Sequence, residues 1–301
     1  HSRMYSEIDY AGMQDTKSPT TGRTSISTGS PWVFFGVTFA ITWGCWLSAI
    51  ALGVSFDTAI GAVLLLVGLV GPGAAGVALA YFVYGKQGWT DFWNRIKQVR
   101  RIGVRWFLVI LLIPVVVTIV AAVVDSLLGG PGVAWGEGVQ QLSVNPLAIL
   151  PALFFATLPP ILEELGWRGY ALDRLQLNWS AFVASLLLGI VWATWHLPLF
   201  FIEGSFQREV VGFATLGFWL FMIGTVALSV IFTWVYNHTM RSILGIIILH
   251  GWVNFVSETI EVADQFYYPI WVLFAVLIVG IWGAKTMTTA DDVPRPPLTT
   301  E

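Results

Sequence analysis

Residues 104–128 read VRWFLVILLIPVVVTIVAAVVDSLL, and nothing between Arg105 and Asp125 carries a charge. A helix needs about 20 apolar residues to cross the hydrocarbon of a bilayer. This run meets that requirement and is too long for a buried strand. Working outward by the same rule gives eight candidate spans: 31–53, 58–84, 104–128, 147–170, 179–201, 211–236, 242–258 and 268–287. The seventh is the shortest and carries His250 and Asn254 inside it. The expected fold is therefore all-α: a polytopic integral membrane protein of about eight transmembrane helices.

Composition agrees. Of 301 residues, 56% are hydrophobic and 11% charged, with a mean hydropathy of +0.75. Soluble domains carry about 25% charged residues, so a soluble surface could not be covered. The formal net charge of −3, with no basic stripe, excludes a nucleic-acid binder. Thirty glycines and sixteen tryptophans suit close helix packing and interfacial anchoring. The single cysteine, Cys45, allows neither an intrachain disulfide nor a cysteine metal cluster. Residues 1–30 are polar and read as a disordered tail, with His1-Ser2-Arg3 before Met4 as an expression scar; 288–301 form a second polar tail. The domain between them is 31–287.

Basic residues sort by side. With the N-terminus in the cytoplasm and eight crossings, Lys86, Arg95, Lys97, Arg100, Arg101 and Arg105 fall inside, and so do Arg3, Lys17, Arg23, Arg168, Arg174, Arg241, Lys285 and Arg295. Only Arg208 falls outside, where Asp57, Glu137, Glu203, Glu209, Glu258, Glu261 and Asp264 gather. Both termini are expected in the cytoplasm.

Ionisable groups within spans are costly unless they are partnered or face water. Four clusters stand out: Glu163-Glu164-Leu165-Gly166-Trp167-Arg168, His196 before Leu197-Pro198, His250 with Asn254, and Asp125 at the outer end of the third span, where solvation or capping accounts for it. Glu164 and Arg168 are four apart on one helical face, the favourable order for an ion pair. Glu163 is one step round and lacks that partner, which leaves it free for chemistry. His250 and Asn254 share a face and can aim two donors at one point, as an oxyanion requires. Taken singly, each cluster also reads as interhelical bonding. His238, beside Asn237 and Arg241 at an inner loop, needs no functional explanation. No G-x-S-x-G, H-E-x-x-H or phosphate-binding glycine loop is present. Together, two carboxylates, two histidines and an asparagine on three apolar helices supply a base, a proton carrier and oxyanion donors, the inventory for amide hydrolysis.

The sequence here resembles the CAAX-processing and bacteriocin-processing (CPBP, or Abi) intramembrane endopeptidases, relatives of the CAAX prenyl protease. The pattern E-E-x-x-x-R, aromatic-x-x-x-H, H-x-x-x-N stands as Glu163, Glu164 and Arg168, then Trp192 and His196, then His250 and Asn254. Order and intervals agree over a core of about 145–258, while residues 1–140 match only as hydrophobic spans. Trp192 replaces the more usual Phe and is a candidate for the substrate groove. The resemblance implies a glutamate-dependent peptidase in which Glu163 and His196 activate water, His250 and Asn254 hold the oxyanion, and Glu164 and Arg168 support them. It also leaves a zinc alternative, with two His and one Glu as a three-ligand site. A proton-relaying transporter built on the same groups is a third reading.

The partners implied are the lipid bilayer and an apolar or prenylated peptide or protein, since the polar groups are enclosed by Trp, Phe, Leu and Ile. One tension accompanies this assignment. If the fourth span ends at 170, Glu163 lies about 10 Å from that end, whereas His196 lies about 25 Å along the next helix from 179. The two meet only if helices tilt or if 171–180 dips into the membrane.

Overall fold

The computed structural model describes residues 29–135 and 143–293. Nearly all of the N-terminal tail, the last residues of the C-terminal one and Glu137 lie outside these. The helices are α1 (Pro31–Leu52), α2 (Ala59–Val83), α3 (Gly85–Lys97), α4 (Gly103–Leu127), α5 (Ile149–Gly166), α6 (Leu172–Gln176), α7 (Ala181–Trp195), α8 (Leu216–His238), α9 (Ile243–Thr259) and α10 (Asp264–Trp282). A π-helical turn, Trp167–Ala171, joins α5 to α6, so that Pro146–Gln176 is one span. Among the described residues, seven helices are long and apolar enough to cross a membrane, and α9 is the shorter eighth. The chain is a polytopic all-α membrane protein, as its hydropathy requires.

Local sequence sets the helix ends. Ser30, Thr58, Ser180, Thr215 and Ser242 each cap a helix by accepting a backbone N–H of the first turn. In α4, Leu108, Leu112, Val116, Ile119 and Val123 are exposed along one stripe, while Ile110, Ile113, Val117 and Ala121 are buried on the other. A helix apolar all round, with half of it facing lipid, is the membrane pattern. Asp125, at the end of α4, accepts from the Gly132 N–H at 2.8 Å and is buried, which makes it a capping residue.

Contacts between loops fix the alternation of crossings. At one end the Phe56 N–H donates to Glu203 O at 2.9 Å, and Ala134–Trp135 pairs with Ile260–Glu261 as a two-residue antiparallel ladder (β1 and β2). At the other end Arg101 Nη1 donates to Met240 O at 2.9 Å, and the Ala181 N–H donates to Lys285 O at 2.8 Å. The start of the C-terminal segment is held there too, since Asn237 Nδ2 donates to Thr286 O at 3.0 Å and Met287 is buried.

The α2–α5 contact places the carboxylates. A Cβ on Gly166 would lie 2.2 Å from Pro72 O, and one on Gly76 would lie 2.6 Å from the Gly166 Cα. Only glycines permit this approach of two backbones, the small-residue packing typical of membrane helices.

Candidate active site

Glu163 and Glu164 occupy the last turn of α5, buried at 4% and 0% exposure. Arg168 follows on the π turn, fully buried. Its Nη1 sits astride both oxygens of Glu164, at 2.9 and 3.0 Å, so the pair read from the i, i+4 spacing is present. Glu164 has a second partner that local spacing could not reveal: His250 Nδ1, 3.0 Å from Oε1. A carboxylate only accepts, so in this contact Nδ1 is the donor.

Glu163 stands outside that pair. Its Oε2 accepts from the indole Nε1 of Trp192 at 2.7 Å. Trp192 is 2% exposed, with the Arg168 guanidinium 5.0 Å over its ring and the edge of His250 at 5.2 Å. His196 flanks the same indole at 5.9 Å between ring centroids. Its Nδ1 lies 2.8 Å from Trp192 O, an oxygen that only accepts, so Nδ1 carries the hydrogen and Nε2 points away with its lone pair.

The tension in depth is resolved by the π turn. The fourth span does not stop at 170 but continues through α6 to Gln176, about 20 Å past Glu163 at 1.5 Å per residue. His196 ends α7 about 22 Å from Ala181, so both residues sit at one depth measured from the 177–180 turn. Leu172, Asp173, Leu175 and Gln176 are all buried, which is why the span extends this far.

Asn254 is docked by a feature not weighed in the sequence. Pro159 and Pro160 interrupt α5, and Pro160 has no N–H for the carbonyl of Ala156 four residues before it. Asn254 Nδ2 takes that acceptor, donating to Ala156 O at 3.2 Å. Next to His250, a Cβ on Gly251 would lie 2.8 Å from Thr157 Oγ1, so α9 and α5 meet closely there.

A second polar network, in which Arg95 and Arg241 reach in from outside the spans, holds the π turn. Arg95 of α3, fully buried, donates from Nη2 to Gly169 O at 2.9 Å and from Nη1 to Asp173 Oδ2 at 2.9 Å. Tyr236 accepts from Arg95 Nη1 at 2.7 Å and reaches Asp173 Oδ1 at 2.9 Å. Arg241, at the entry to α9, bonds Asp173 with Nε and Nη2 and Asp91 with Nη1 at 2.9 Å. His238 is stacked on Trp106, with ring centroids 4.4 Å apart.

The zinc alternative asks for two histidines and one glutamate turned to one point. Among the described residues no three His, Cys, Asp or Glu side chains are so placed. Glu164 is engaged by Arg168 and His250, and Glu163 Oε2 by an indole N–H.

Residues 145–256, which contain Glu163, Glu164, Arg168, Trp192, His196, His250 and Asn254, match the family described as type II CAAX prenyl endopeptidase, Rce1-like. CAAX prenyl protease 2 of Methanococcus maripaludis is 30% identical over 244 residues, covering 78% of this chain and 87% of that protein. The chain belongs to the Rce1-like type II CAAX prenyl endopeptidases. This Rce1-like protein is thus an intramembrane protease, and the likeness to that relative covers far more of the chain than the three short motifs.

Proposed function

We propose that this Rce1-like protease hydrolyses a peptide bond near the C-terminus of a prenylated or otherwise apolar substrate, with Glu163 and His196 activating water and His250 and Asn254 holding the oxyanion. The observation that carries the reading is the unequal treatment of the two adjacent glutamates. Glu164 is tied by Arg168 and His250, whereas Glu163 forms no ion pair among the described residues. A water between Glu163 Oε1 and His196 Nε2 meets two acceptors and turns its lone pairs outward, as a nucleophile must. As it attacks the scissile carbonyl, its proton passes to Glu163. The carbonyl oxygen, now negative, accepts from Asn254 Nδ2 and from His250 Nε2. That second donation requires His250 as imidazolium, with Glu164 balancing the charge. Two carboxylates against one guanidinium and one imidazolium leave the buried site neutral. Collapse of the intermediate returns the proton to the leaving amine and releases a short C-terminal peptide.

The substrate class follows from the surroundings. Trp192, Phe232 and Phe221 flank the histidines, and no soluble folded chain could reach a site about 20 Å into the span. A lipid-modified C-terminus can enter from the bilayer side. The sorting of Lys and Arg supports both termini in the cytoplasm. The test is mass spectrometry of the products from a prenylated C-terminal peptide and its unprenylated twin, with wild type, Glu163→Ala and Asn254→Ala in parallel. The expected result is faster cleavage of the prenylated peptide and none by Glu163→Ala. Asn254→Ala should bind peptide yet lose about 10²–10³ in rate, the effect of one oxyanion donor. Equal cleavage by all three proteins overturns the assignment.

A further inference from the structure

We infer that Trp192 is a positioning residue for the reaction, its indole N–H holding the Glu163 carboxylate with one oxygen turned to the water. This rests on Glu163 being the base. Three observations converge on the same residue.

The Trp192 Nε1 to Glu163 Oε2 distance of 2.7 Å lies at the short end for an N–H donor, where charge-assisted bonds to carboxylates fall. With Oε2 engaged by the indole, Oε1 is the oxygen that this bond leaves open. The ring cannot turn away, because it is enclosed by Arg168 at 5.0 Å, His250 at 5.2 Å and Phe232 at 5.9 Å. The backbone of the same residue reaches the other half of the water-activating pair. In an unbroken helix Trp192 O would accept from the His196 N–H, but α7 tightens ahead of Pro198 and that N–H turns to Ala193 O at 3.2 Å. The freed carbonyl takes His196 Nδ1 at 2.8 Å and so leaves Nε2 as the acceptor. One residue therefore orients both groups that face the water. A phenylalanine at 192 would retain the carbonyl contact and the ring but lose the hold on Glu163.

The experiment uses the full chain in detergent with a prenylated peptide, with kcat, KM and thermal midpoint read separately. Trp192→Phe removes the N–H. Benzothienylalanine at 192, in which sulfur replaces the N–H at constant shape, keeps the test valid if the smaller ring perturbs folding. Both should lower kcat about ten- to a hundredfold, the loss of one hydrogen bond to a charged group, with KM and the thermal midpoint nearly unchanged. The loss must also run through Glu163. In the Glu163→Gln background, followed over hours by mass spectrometry, Trp192→Phe should change the residual rate by less than about twofold, because coupled residues are not additive. Unchanged kcat in both 192 variants overturns this inference and leaves the function reading intact. So does an equal fractional loss in the two backgrounds, which would mark a purely structural ring. Full activity of Glu163→Gln alone overturns the function reading first.

Discussion

Glu164→Gln separates a buried ion network from a lone catalytic carboxylate. Glu164 is fully buried, and its two oxygens receive Arg168 Nη1 at 2.9 and 3.0 Å and His250 Nδ1 at 3.0 Å. An amide at 164 offers one neutral oxygen to partners that need a charge. Arg168 is then left with Ser229 Oγ at 3.5 Å and the faces of Trp192 and Phe232, in a place where water cannot replace the carboxylate. Breaking a buried pair by removing one partner costs about 3–5 kcal/mol. For a chain of this length, that corresponds to a fall of about 5–8 °C in thermal midpoint. Replacing both partners, Glu164→Gln with Arg168→Met, should recover part of the loss, because apolar substitution of a whole buried pair is often close to neutral. Heating in detergent followed by size-exclusion chromatography of the surviving fold reads all three proteins. If Glu164→Gln keeps the wild-type midpoint, or if the double variant is less stable than either single one, the network does not hold the helix as described.

Three further outcomes follow from the fold. Gly166→Ala places a methyl 2.2 Å from Pro72 O, so it should separate α2 from α5 and lower both stability and cleavage, whereas alanine at exposed Gly36, where a Cβ meets nothing, should change neither midpoint nor rate. Arg95→Met takes the donors from Gly169 O and one cation from Asp173, and should loosen the π turn, seen as faster proteolysis near α3 and a lower midpoint. Burial by itself pushes the Arg95 guanidinium down, but Tyr236 and Asp173 outweigh it and hold its pKa above the ordinary arginine value. With the folded value raised, this stabilisation is complete below the unfolded arginine pKa, so the deficit of Arg95→Met should be the same at pH 6 and pH 9. Single cysteines at Gln87 and Glu203, in a Cys45→Ser chain, should label from opposite faces of sealed vesicles, with Gln87 on the cytoplasmic one; labelling of both from one face contradicts the eight crossings.

The spans were legible because hydropathy needs no partner: an uncharged run such as Trp106 to Val124 has one physical home. The Glu164–Arg168 pair was legible because it is local, four residues along one helix. What escaped was set by neighbours distant in sequence or by backbone irregularity. His250 reaches Glu164 across 86 residues, and nothing in either motif fixes that contact. The fourth span reads as ending near 170, since Asp173 and Arg174 look like the start of a loop; Arg95 and Arg241, from two other elements, neutralise Asp173 and let the helix continue. The docking of Asn254 was in principle readable. Pro159-Pro160 must free carbonyls four residues earlier, and a buried asparagine on a later helix is a natural donor to one of them.

The central claim is that Glu163, and not its neighbour, takes the proton from water. Turnover of a prenylated peptide by Glu163→Gln, beside wild type and with thermal midpoints recorded for both, tests it most directly. The account predicts a midpoint within about 2 °C of wild type, because the amide oxygen can still accept from Trp192. It also predicts a rate lower by about 10²–10⁴, the usual contribution of a positioned base. A folded Glu163→Gln protein that cleaves at the wild-type rate would contradict it.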